Sequence, residues 1–229
     1  MKKIILTLLL LFTLISCNNN KNKIEVTFLK TDLSDSHPIE LSFLRLSNKD
    51  SIIYNKKRIE RISVGKKIIF DSLPNGEYIL EYSNIELQNI VKHIKLQNNQ
   101  IYRSKIIYDS LPLNNYYKEI PINNLKNGES YKLFTWGGCV ARMESFYQIS
   151  NKNNEYFFES NAVKNKHLKD EDIKAIEKFE AELYALRGKG GCNSTGKMTY
   201  SFTKNNKTDT INEFACNWNT YRILMRKIH

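Results

Sequence analysis

The stretch Phe70-Asp71-Ser72-Leu73-Pro74-Asn75-Gly76-Glu77-Tyr78-Ile79-Leu80-Glu81-Tyr82 decides how the first half of this chain is read. Pro74 presets φ for a turn, and Gly76 can take φ above zero. Beyond the turn, Tyr78, Leu80 and Tyr82 recur at every second residue and line one face of an outgoing strand. The same alternation extends to both sides. Ile24, Val26 and Phe28 alternate with polar residues, as do Ile39, Leu41 and Phe43. Tyr102, Ser104 and Ile106 alternate with Ile101, Arg103 and Lys105. Between these runs fall the turn signals His37-Pro38, Asn48-Lys49-Asp50 and Gln97-Asn98-Asn99. Short strands at this spacing, with no helical stretch, predict an antiparallel β-sandwich over residues 24–109.

The segment 70–82 resembles the F-x-x-L-P-x-G-x-Y-x-L hairpin of the Cna-B and carboxypeptidase-regulatory-like sandwiches. The resemblance implies a transthyretin-like shape and a role as a stalk, spacer or adhesive module. It implies no reaction.

Residues 110–128 contain Leu111-Pro112-Leu113, Ile120-Pro121-Ile122 and Asn127-Gly128, and read as a linker. The texture changes from Glu129 onward. Tyr131, Leu133 and Thr135 begin a strand that ends at Trp136-Gly137-Gly138. Residues 145–149 and 155–158 suggest two more. Ile173, Ile176, Phe179, Leu183 and Leu186 recur at spacings of three or four, which predicts an amphipathic helix over 170–187. Asp170, Glu171 and Asp172 suit its start, and Gly188 suits its C-cap. Glu177, Glu180 and Glu182, with the acids of the first turn, read as its solvated face. Strands over 198–203 and 208–214 flank Lys204-Asn205-Asn206-Lys207, a hairpin signal that sets Thr203 opposite Thr208. Trp218, Tyr221, Leu224 and Met225 predict a short closing helix. Residues 129–229 are thus expected to form a small α+β domain, and the chain to be an α+β multidomain protein. This half resembles uncharacterised Bacteroidetes lipoprotein domains, with its Gly137-Gly138-Cys139 strand end, central helix and Cys-flanked hairpin.

The N-terminus gives the expected location. Met1-Lys2-Lys3 is followed by an apolar run from Ile4 to Ile15. A basic start and a short apolar core describe a secretory signal peptide, residues 1–16. The run is shorter than the roughly 20 residues a spanning helix needs. Leu14-Ile15-Ser16-Cys17 resembles the lipobox of bacterial lipoproteins of the Bacteroidetes type. That resemblance implies cleavage before Cys17, a diacylglycerol on its sulfur and an acyl group such as palmitate on its amine. Two or more chains anchor stably where one does not. Residues 17–23, rich in Asn and Lys, read as a lipidated tether. Surface-exposed lipoproteins of the type this segment resembles carry an acidic cluster after the Cys; none follows Cys17, so the resemblance implies the outer membrane's periplasmic side.

The formal net charge is +11, spread along the chain with no dense Lys/Arg block among stacking aromatics, and nucleic acid is not an expected partner. Besides Cys17, the chain holds Cys139, Cys192 and Cys216. An exported chain permits disulfides. Cys192 and Cys216 flank the hairpin almost symmetrically, so they are the expected bridge, with Cys139 left as a thiol. Gly191–Lys197 approaches a phosphate-binding loop, but Met198 replaces its hydroxyl and the helix-then-strand context is reversed. His37, His93, His167 and His229 stand far apart, and neither a metal nor a cofactor is expected. Trp136, Gly137, Gly138 and Cys139 form the candidate contact site, where glycines permit close backbone approach. A binding or structural module is expected, with an envelope protein as partner. The alternatives are a periplasmic inhibitor or immunity-type binder, and a cysteine hydrolase centred on Cys139 with His167 as its base.

Overall fold

The computed structural model describes residues 22–32, 35–56, 60–137, 143–189, 198–213 and 218–229. These residues are mostly strand, with two α-helices among them.

Among the described residues, nine strands occupy the first half: β1 (Asn22–Leu29), β2 (Ile39–Leu41), β3 (Leu44–Asn48), β4 (Ile52–Lys56), β5 (Glu60–Ile62), β6 (Lys67–Leu73), β7 (Gly76–Ser83), β8 (Asn89–Leu96) and β9 (Ile101–Ile107). They form three sheets, ordered β6-β1-β9, β2-β5 and β4-β3-β7-β8. Ile24, Val26 and Phe28 point inward, as their alternation predicts, and share one core with Leu44, Leu46, Tyr78, Leu80 and Tyr82. Phe28 meets Tyr82 edge-on at 5.6 Å.

Two local readings change. The Pro74 turn is a corner between sheets and not a hairpin: β6 pairs with β1, while β7 pairs with β3 and β8. Leu73 and Tyr78 on either side of it both face the core. Asn22 braces the corner, its Nδ2 donating to Leu73 O at 3.1 Å and to Asn75 Oδ1 at 2.9 Å. Asn22 is fully buried and begins β1, so the last two residues of the expected tether are strand. The pairing is also not wholly antiparallel. β1 runs parallel to β9, because the chain returns to its first strand only after building the other sheets.

The second half forms one antiparallel sheet, ordered β13-β12-β11-β10-β14-β15. Its strands are β10 (Ser130–Gly137), β11 (Met143–Lys152), β12 (Glu155–Ser160), β13 (Lys166–His167), β14 (Met198–Lys204) and β15 (Lys207–Glu213). Asn153-Asn154 and Asn205-Asn206 make two-residue hairpin turns with both residues at positive φ, a conformation Asn tolerates. Thr203 faces Thr208, the register the hairpin signal predicts. Helix α1 (Asp170–Ala185) lays Ile176, Phe179 and Leu183 on the sheet's inner face, against Tyr147, Phe158 and Tyr200. Asp172 accepts the Lys169 N–H at 3.2 Å and closes the first turn. Gly188, at φ +69°, turns the chain away just past the last helical turn. Helix α2 (Thr220–Ile228) packs beside α1.

Ile120, Ile122 and Leu125, in the stretch read as a linker, are buried in the core of the second half. The two halves touch. Leu186 enters the first core, Trp218 packs on both, and Lys189 Nζ binds Glu86 Oε1 at 2.6 Å. No helix among the described residues is long and apolar enough to cross a membrane.

Candidate functional site

Helix α2 does not seal the inner face of the six-stranded sheet. Between them lies a cleft of about 420 Å³ at the end of β10, β11 and β14. Met198, Tyr200, Trp218, Tyr221 and Met225 supply its apolar walls, and Ser145, Arg222 and His229 its polar edge. Its size and lining are those of small-molecule pockets.

The walls are held from behind. Trp218 stacks on Phe179 with centroids 5.6 Å apart and planes 14° apart, and meets Tyr200 edge-on at 5.7 Å. Trp218 Nε1 donates to Glu182 Oε2 at 3.0 Å, and Thr220 Oγ1 donates to the same oxygen at 2.6 Å. Burial raises the Glu182 pKa, against the pull of those two hydrogen bonds. The Tyr221 hydroxyl donates to Ser145 Oγ at 2.9 Å and so fixes α2 to β11. Burial pushes the pKa of Tyr200 and Tyr221 upward, which keeps both phenols neutral near pH 7. Two methionines give the cleft walls that can adjust to an occupant. Among the described residues no Asp or Glu side chain lines it.

A second buried group lies deeper. Glu180 is completely buried between α1 and the sheet. It accepts from the Tyr147 hydroxyl at 2.9 Å, from the Ile122 N–H at 3.1 Å and from the Tyr131 hydroxyl. Desolvation raises its pKa to about 7, while those hydrogen bonds pull the other way. The reading of the helix acids as a solvated face is therefore corrected. Asp172, Glu180 and Glu182 are buried, each because a specific donor meets it.

The expected site residues divide. Cys17, Gly138, Cys139, Cys192 and Cys216 lie outside the described residues. Gly137 ends β10. Trp136 is half-buried on the sheet's outer face, 5.6 Å from Phe134. Phe146 lies on the same face under Lys132 Nζ at 4.1 Å. Tyr147 is fully buried on the inner face. His167 sits on β13, three strands from β10 and against Phe157, whereas His229 lines the cleft. Sequence reasoning did not find the cleft. Its one advance signal is the aromatic and methionine content of 218–225, which the sequence pattern assigns only to a short closing helix. No group of three metal-ligating side chains occurs among the described residues. No protein-family model matches the chain, and no curated protein matches it.

Proposed function

We propose that this chain is a lipid-anchored envelope protein that binds an apolar ligand or side chain in the cleft beneath α2. One observation carries the reading: an aromatic and methionine-lined cleft that the protein's own helix leaves open. In this account the first half is a sandwich-like spacer and the second a small α+β binding domain. Their separate cores support that division. The resemblance of residues 14–17 to a lipobox supports an anchor on a bacterial membrane, with the outer membrane's periplasmic side as the proposed site. The polar edge of Ser145, Arg222 and His229 orients the occupant, and the stacked Phe179–Trp218 pair holds the wall rigid. Rigid walls lower the ordering cost of binding.

The test is titration of the unlipidated Cys17→Ala protein with the apolar dye phenylnaphthylamine. The expected result is saturable fluorescence enhancement that Met225→Trp, which fills the cleft, weakens about tenfold. Enhancement that is absent, or unchanged in Met225→Trp, overturns the reading.

A further inference from the structure

On the far side of Arg222 from the aromatic cleft, α2 faces Asp32 and residues 35–37 of the first half. A second cleft of about 440 Å³ lies there. We propose that it binds a phosphate group.

Arg222, Arg226 and Lys227 of α2 line the cleft, and Asp32, Asp35 and His37 face them. Asp35 does not neutralise the arginines. Its Oδ2 takes the buried Lys30 Nζ at 2.6 Å. Its Oδ1 takes the His37 backbone N–H at 3.0 Å and the His37 ring Nδ1 at 2.6 Å. These bonds, with Lys30 first among them, hold the Asp35 carboxyl below its usual pKa against the cost of burial. The contact at Nδ1 places the ring proton there and leaves the Nε2 lone pair toward Arg222, which donates to it. A guanidinium is thus paired with a neutral acceptor. Among the described residues no carboxylate lies within salt-bridge distance of Arg222, Arg226 or Lys227.

The remaining charge fits the ligand. Asp35 is matched by Lys30, so among the side chains that line this cleft Arg222, Arg226 and Lys227 face Asp32 alone, which leaves two positive charges there. A phosphate dianion compensates both; a carboxylate compensates one. Arg222 and Arg226 lie one helical turn apart, so two guanidinium forks can reach one tetrahedral group. The chemistry is shared by a soluble phosphomonoester and a lipid phosphate headgroup. The site stands apart from the reading of the aromatic cleft and does not depend on it.

Calorimetric titration of the Cys17→Ala protein with inorganic phosphate tests the soluble source. Flotation with phosphatidic acid vesicles, against phosphatidylcholine vesicles, tests the headgroup source. The structure predicts phosphate heat or selective flotation that the double variant Arg226→Gln/Lys227→Gln weakens about tenfold or more. The control Lys105→Gln/Lys118→Gln removes the same charge from exposed positions elsewhere and should leave binding within about twofold. Neither variant touches the His37 contact, so a purely structural latch would leave both unchanged. Absence of binding in both arms, or equal weakening by the two double variants, overturns the proposal.

Discussion

Glu180 was placed in the core by its position on the helix. It follows Ile176 by four residues and precedes Leu183 by three, so it lies inside the apolar stripe. That much was legible, and charge alone argued against it. The Tyr131 and Tyr147 hydroxyls that make its burial tolerable come from β10 and β11, far away in sequence. The pH consequence has a definite sign. An ordinary Glu titrates near 4.5, and Glu180 in the fold near 7. Between those values the native state holds a proton that the unfolded chain has released. Its contribution is therefore full below about 4.5 and is lost as pH rises through about 7. The loss is of order 3 kcal/mol. Denaturant midpoints measured across this window should fall in the wild type and flatten in Glu180→Gln; parallel curves would contradict the assignment. Glu180→Ala should cost about 2–5 kcal/mol at acidic pH, because it orphans two buried hydroxyls and an N–H.

Elements whose pattern is local are legible in the sequence, and those set by long-range pairing are not. Helix α1 declares itself through its apolar spacing, and the β14–β15 hairpin through Asn205-Asn206. The corner at Pro74 has the same local chemistry as a hairpin turn. Only the distant partners β1 and β3 send its two strands into different sheets. The aromatic cleft was hidden for a like reason, since it depends on where α2 lands on β10, β11 and β14. Phe179 links these elements through contacts to Tyr147, Tyr200, Trp218 and Tyr221. Phe179→Ala should lower stability by about 3–5 kcal/mol in a denaturation experiment; a loss near zero would show that the cluster does not pack as described. Strand ends also bear on the proposed bridge. Gly137, Met198 and Glu213, the described residues nearest the three cysteines on these strands, share one rung of the sheet. Mass mapping of the unreduced protein is expected to give a Cys192–Cys216 bridge and a Cys139 thiol. A bridge that includes Cys139 would contradict the pairing.

At the scale of the molecule, the proposed lipid anchor and spacer precede a cleft-bearing second half. Lipidation at Cys17 predicts that Cys17→Ala moves the protein from the membrane fraction to the soluble fraction; retention with unchanged mobility would refute the anchor. The halves meet through Trp218, just before α2, and through Leu186 and the Lys189–Glu86 pair, just after α1. The cleft beneath α2 is the proposed binding site. Methionine-methyl NMR tests it most directly, because Met198 and Met225 both line that cleft. On titration with phenylnaphthylamine, the methyl resonances of Met198 and Met225 should shift together and saturate at the dye's fluorescence midpoint. Dye binding that leaves both methyl resonances unmoved would contradict the claim.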